Sequence, residues 1–279
     1  MNNIQKLPFT LYDENEGVLQ YDLAELSNIL IGGATGQGKT NLMLSILCDL
    51  LSSKSSEELK LVLVDPKLCE YAPFSALDKS FFAISDATAN TGVITDSDQA
   101  FAVLQELQAI VEARLKVLSE SKLKYSEYAA LHRDMPYILV SIDEYGDLAI
   151  YNKKFLSIIE SIAKFSHYVG VYVMMATQRL FRRFVPLGIK AFPTRIGMRM
   201  ASCIDSRAVM DSDGAETLKS GQLLLYRTNL SGKLHTKLVT DDMLSEIIKN
   251  AKQILLSDTI FQRPLPLVGR GRNYLCYKF

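Results

Sequence analysis

Short apolar runs alternate along the chain with longer stretches in which apolar residues return every three or four positions. Asn28–Ile31 reads as a short strand ending at Gly32-Gly33, and Thr40–Ser52 as a helix with Leu42, Ile46, Leu47 and Leu50 on one face. Leu59–Val64 is an apolar strand closed by Asp65-Pro66, and Phe81–Ile84 has the pattern of another short strand. Asp98–Ser119 is a long amphipathic helix carrying Phe101, Leu104, Leu107, Val111, Leu115 and Leu118. Tyr137–Ile142 is apolar apart from Ser141, as expected of a central strand buried on both faces. Lys153–Phe165 reads as a helix and Gly170–Ala176 as a second central strand. Pro193–Met200, Leu223–Arg227 and Lys233–Val239 read as further strands, and Asp241–Ile254 as a helix opened by an N-cap at Thr240. Strand and helix in alternation predict an α/β fold, a mostly parallel central sheet with helices on both faces.

The simplest division is one α/β domain over residues 28–255, preceded by a strand or hairpin lead-in over 1–27. A tail over 256–279 follows, with two prolines, two glycines and four basic residues. Across 279 residues, 48% apolar and 22% charged content is ordinary for a soluble α/β core. Thirty-one basic residues against 31 acidic ones exclude a generally basic polyanion binder, so any contact with nucleic acid must come from a local patch. Cys48, Cys69, Cys203 and Cys276 form no C-x-x-C pair, and His132, His167 and His235 share no ligand spacing. They read as reduced thiols and isolated imidazoles of a cytoplasmic protein. The longest apolar run, Tyr168–Ala176, falls far short of the roughly 20 residues a spanning helix needs, so work at a membrane would require a partner.

The chemistry concentrates in two places. Gly33, Ala34, Thr35, Gly36, Gln37, Gly38, Lys39 and Thr40 match G-x-x-x-x-G-K-[ST] at every position. Glycines at these places let successive backbone N–H groups turn inward on phosphate oxygens. Lys39 offers a compact cation to the β and γ phosphates of ATP, and the Thr40 hydroxyl is a hard oxygen ligand for Mg²⁺. The helix that follows points its positive end at the same phosphates. The pattern lies between an apolar strand and an amphipathic helix, the context a phosphate loop requires. About a hundred residues on, the strand through Ile142 runs into Asp143 and Glu144. Asp143 is placed to hold Mg²⁺ and Glu144 to polarise the attacking water as general base. Gln178, after the Gly170–Ala176 strand, is placed either to sense the γ phosphate or to cap the strand end.

These motifs, in order, resemble the motor domain of the FtsK/SpoIIIE family of double-stranded DNA translocases. The resemblance runs from about Asp22 to about Thr240. It is carried by Asp22-Leu-Ala, Gly33–Thr40, Val64-Asp65-Pro66-Lys67, Ile142-Asp-Glu with Asp147-Leu148, and Met175-Ala-Thr-Gln-Arg179. Phe192-Pro-Thr-Arg195-Ile196, Ile204-Asp-Ser-Arg207, Gly214-Ala-Glu216 and Gly221 complete the series. The resemblance implies a RecA-like P-loop NTPase fold, a homo-hexameric ring with ATP between subunits, and duplex DNA through its pore. It also implies an arginine inserted into the neighbouring subunit's site, for which Arg195 and Arg207 are the two candidates. The alternative for each is a salt bridge to a nearby carboxylate.

Residues 179–190 fall where the family places a loop facing the pore. They bring Arg179, Arg182, Arg183 and Lys190 together in an otherwise neutral chain, as a ring that tracks phosphates requires. The leading expectation is therefore an ATP-driven duplex DNA translocase serving a mobile element, plasmid or phage, with a separate loading or anchoring partner. The alternative is the motor of a type VII-like protein secretion system; a third, a nucleotide-dependent assembly module with little turnover, sits poorly with an intact Lys39 and Glu144.

Overall fold

The computed structural model describes residues 6–83, 92–132, 134–178, 192–227 and 233–258, with side chains to 251. Among the described residues ten strands make one sheet: β1 (Pro8–Asp13), β2 (Gly17–Asp22), β3 (Ile29–Gly32), β4 (Leu59–Val64), β5 (Val93–Ile94), β6 (Tyr137–Ile142), β7 (Val171–Thr177), β8 (Thr194–Met198), β9 (Gln222–Tyr226) and β10 (Lys233–His235). The helices are α1 (Leu23–Leu26), α2 (Lys39–Ser53), α3 (Ser97–Ser121), α4 (Tyr125–Leu131), α5 (Tyr145–Tyr151), α6 (Phe155–Ser166), α7 (Cys203–Met210) and α8 (Asp241–Asp258).

The sheet order is β2-β1-β10-β9-β8-β3-β7-β6-β4-β5. All pairings from β8 through β3, β7, β6 and β4 to β5 are parallel, and those from β8 outward through β9, β10 and β1 to β2 are antiparallel. Every residue of β3, β4, β6 and β7 is buried, so both faces of the parallel half are covered, as the apolar runs predict. Helix α2 packs with α8, and α3 with α6. The lead-in hairpin belongs to the same sheet, because β1 pairs with β10.

Two buried polar groups on the strands are matched by partners. Asn28, just before β3, donates to the Ala163 carbonyl at 2.7 Å and accepts from the Val173 amide at 2.8 Å, tying α6 and β7 to the start of the loop-bearing strand. Ser141, the polar interruption of β6, lies 2.6 Å from the fully buried Tyr71 hydroxyl.

Several boundaries differ from the sequence expectation. Lys79–Phe81 is a turn of 3₁₀ helix and Phe82 makes a single parallel bridge to Leu61, so the expected strand at Phe81–Ile84 is one bridge; Ile84 lies outside the described residues. The expected strands Pro193–Met200 and Lys233–Val239 shorten to β8 and β10. Thr240 does cap α8, accepting the Met243 amide at 3.3 Å.

Parallel strands share one carboxyl edge. The segments leaving β3, β4, β6 and β7 therefore emerge side by side, in the crevice where α/β sheets bind ligands.

Candidate active site

The phosphate loop leaves β3 and feeds α2 directly. Gly38, the residue before α2, has φ +104°, and Gly36 has φ +72°, both in the left-handed region that side chains avoid. Gly33 is constrained by packing: a Cβ there would sit 2.9 Å from the Cβ of Met198 on β8. The loop is anchored from outside by the Ala34 amide on the Arg199 carbonyl at 2.9 Å and by the Gly221 amide on the Gln37 carbonyl at 3.2 Å. Lys39 Nζ lies back across the loop, donating to the carbonyls of Gly33 at 2.9 Å and Ala34 at 3.0 Å. Burial lowers the Lys39 pKa, while Glu144, Asp143 and Glu70 pull it back up.

Facing Lys39 is a group of carboxylates larger than the sequence reading anticipated. Strands β4 and β6 pair in register, Val64 against Ile142, so Asp65 and Asp143 leave the sheet abreast. Asp65 is fully buried and accepts the backbone amides of Lys67 at 3.1 Å, Glu70 at 2.8 Å and Tyr71 at 3.0 Å. That turn brings Glu70 to the wall of the cleft over the loop. Burial first, then Asp65, Glu70 and Glu144, push the Asp143 carboxyl up to about 6, against the partial relief of Lys39. A carboxylate so crowded by negative charge has most to gain from a divalent cation. Among the described residues no group of three or more His, Cys, Asp or Glu is placed to cage a metal. The Thr40 hydroxyl and the Asp143 carboxylate are hard oxygen donors of the kind that would suit Mg²⁺. The signal for Asp65 was present in the chain, since two neighbouring apolar strands each end in an aspartate; Glu70 depended on the turn.

Glu144 is buried, 5% exposed, and has φ +50°, unusual for a side chain of its size. Its carboxylate is held by two donors at the end of β7, the Thr177 hydroxyl at 2.7 Å and the Gln178 amide at 2.9 Å. The Gln178 side chain turns the other way and accepts a hydrogen bond from the Thr35 hydroxyl on the phosphate loop. Gln178 thus touches both halves of the site. The sequence marks Thr35 as part of the phosphate loop, but neither its bond to Gln178 nor the bond from Thr177 to Glu144 could be read from it.

The model of the FtsK/SpoIIIE family matches residues 2–132. The DNA translocase FtsK of Chlorobaculum tepidum is 34% identical over 237 residues, covering 82% of this chain and 30% of its own length. The DNA translocase SftA of Bacillus subtilis is 30% identical over 264 residues, covering 90% of this chain and 26% of its own. This chain belongs to the FtsK/SpoIIIE family. It spans under a third of the length of these relatives. Among solved structures, the pCW3 conjugation coupling protein TcpA, in a monomer form with ATPγS, superposes with a TM-score of 0.78 at 22% identity, over 90% of this chain and 71% of TcpA. The cytoplasmic domain of the type VII secretion ATPase EccC from Thermomonospora curvata gives a TM-score of 0.73 at 20% identity, over 90% of this chain and 31% of its own. Both likenesses speak for the fold, a P-loop ATPase core.

The two candidate arginines of this FtsK/SpoIIIE-family chain sit in opposite settings. Arg195, on β8, is buried; it pairs with Asp211, donates to the Val209 carbonyl at 3.4 Å, and stacks over the Tyr226 ring at 5.0 Å. Arg207, on α7, has a side chain 62% exposed and pairs with Asp213 at 2.6 Å. Arg179, Arg182, Arg183 and Lys190 lie outside the described residues.

A cleft of ≈ 350 Å³ opens over the loop, lined by Gly36, Gly38, Lys39 and Thr40 on one side and by Glu70 and Val239 on others. Asn41, next to Thr40, sets the position of Val239: it donates to the Lys237 carbonyl and accepts the Val239 amide, both at 2.8 Å. The segment leading into α8 is thereby tied to the first turn of α2.

Proposed function

We propose that this chain binds and hydrolyses ATP with Mg²⁺ and couples the reaction to movement along double-stranded DNA, as one subunit of a homo-hexameric ring. The observation that carries the reading is the convergence, at one carboxyl edge, of the glycine loop with Lys39 and of the Asp143–Glu144 pair. Family membership supports ATP and duplex DNA as substrate and track. The basic residues Arg179, Arg182, Arg183 and Lys190 in an otherwise neutral chain are the contacts suited to the phosphate backbone.

Backbone amides of residues 34–40 bind the β phosphate, and Lys39 exchanges its carbonyl partners for phosphoryl oxygens. Thr40 and Asp143 would hold Mg²⁺, which would supply Lewis-acid polarisation of the phosphoryl oxygens. Glu144 takes a proton from water as the water oxygen bonds to the γ phosphorus and the bridging bond to ADP breaks. Gln178 donates to the γ phosphate in place of its contact with Thr35. Arg207, exposed on α7, is the better placed of the two arginines to act in a neighbouring site, whereas Arg195 holds β8, β9 and the end of α7 together.

The test is ATP turnover with and without linear duplex DNA at low salt, with displacement of a triplex-forming strand as the readout of movement. Stimulation together with displacement is expected. Turnover indifferent to duplex but raised by a helical peptide would favour the protein-secretion reading instead. Service to a mobile element, plasmid or phage predicts activity in the absence of chromosomal loading factors.

A further inference from the structure

We propose that Thr177, with the amide of Gln178, latches the general base in a resting position, so that Thr177 is a positioning residue that sets how fast the motor runs without its track. The inference rests on the reading of Glu144 as the base. A general base must turn a free lone pair toward its water. In this structure the donors at 2.7 and 2.9 Å engage both carboxylate oxygens, one each. Hydrogen bonds to an ionised acceptor are among the stronger ones, so this pair fixes the carboxylate toward the end of β7.

Geometry argues that the arrangement is a resting state rather than a simple strand cap. Glu144 takes a left-handed backbone conformation at φ +50°, which non-glycine residues adopt only where their surroundings impose it. Tyr145, next in the chain, is fully buried and fixes the start of α5, so the carboxylate can be released by a change at the β7 end without moving its own helix. Gln178 also reaches the nucleotide loop. Gln178 accepts the Thr35 hydroxyl through its side chain while its amide holds Glu144, so one displacement of Gln178 alters both contacts. The chain then runs directly from Gln178 into the basic segment beginning at Arg179. An event on that segment has a one-residue covalent path to the latch.

The experiment measures kcat and KM for ATP, with and without duplex DNA, in the full chain carrying Thr177→Val, with Thr177→Ser as the conservative control. Valine keeps the shape of threonine and removes the donor. Expected are a rise in DNA-independent kcat of about fivefold or more, the scale of one lost charge-assisted hydrogen bond, and a KM within about twofold of wild type. The ratio of DNA-stimulated to basal turnover falls accordingly, and serine restores it. Should valine prove poorly soluble, Thr177→Ala carries the same expectation. An unchanged or reduced kcat in both states, with melting and KM intact, overturns the latch and makes the hydroxyl part of the productive arrangement. Glu144→Gln in the Thr177→Val background separates the two readings. Loss of the gained turnover upholds Glu144 as the base, and persistence of it removes that assignment whatever Thr177 does.

Discussion

Replacing Asp143 with asparagine should make the nucleotide-free protein more stable even as it abolishes hydrolysis. Burial and the neighbouring Asp65, Glu70 and Glu144 push the Asp143 carboxyl from its ordinary 3.8 up to about 6, with Lys39 the group opposing them. A carboxyl that holds its proton more tightly when folded costs nothing below about pH 4 and becomes a burden as pH climbs through the interval to about 6. At about 1.4 kcal/mol per pH unit, the gap between 3.8 and about 6 corresponds to up to about 3 kcal/mol of destabilisation at neutral pH. Asparagine keeps the shape without the charge. Urea unfolding followed by circular dichroism, with EDTA present, should place Asp143→Asn up to about 3 kcal/mol above wild type at pH 7.5 and roughly half of that above it at pH 5. The reasoning fails if the variant is no more stable at pH 7.5, or if its advantage does not shrink on acidification. Restoring Mg²⁺ should narrow the gap by stabilising wild type alone.

Asp65→Ala strips three backbone amides of their acceptor and, offset in part by relieved repulsion on Asp143, should cost about 2–4 kcal/mol of stability in the same unfolding assay; a wild-type midpoint would contradict it. The arginines should part company. Arg195→Ala removes the ion pair of a buried guanidinium with the more exposed Asp211 and its ring contact, and should cost about 1–2 kcal/mol. Arg207→Ala should leave unfolding within about 0.5 kcal/mol of wild type yet lower turnover of the assembled protein about a thousandfold. Mixing Arg207→Ala with Lys39→Ala should recover activity, each chain supplying what the other lacks; no recovery would put Arg207 outside its neighbour's site.

Local patterns were legible in the sequence wherever the physics is local. The phosphate loop is eight contiguous residues whose glycines and lysine are dictated by one ligand, and the long helices and buried strands announce themselves by period. The parts that escaped are those that tertiary contacts create. Helix α7 begins Cys203-Ile-Asp-Ser and shows little apolar periodicity, while β5 is two residues long and depends on β4 for its pairing. Phe82 stops at a single bridge because the chain turns through 3₁₀ geometry just before it. The fate of Arg195 could not be read from its motif, since its partners Asp211 and Tyr226 come from other elements. Glu70 joined the site through a turn organised by Asp65, and Thr177 through a strand end that also holds Glu144. Sequence order pointed to the carboxylate pair; only the packed strand ends reveal what restrains it.

In the proposed mechanism Lys39, Thr40, Asp143 and Glu144 close around one nucleotide, and Glu144 performs the proton transfer. Equilibrium binding of ATP and steady-state release of phosphate, measured side by side on wild type and Glu144→Gln with magnesium present, address it most directly. The glutamine variant should bind ATP at least as tightly as wild type while phosphate release falls by about a hundredfold or more. Phosphate release by the glutamine variant at the wild-type rate would contradict it.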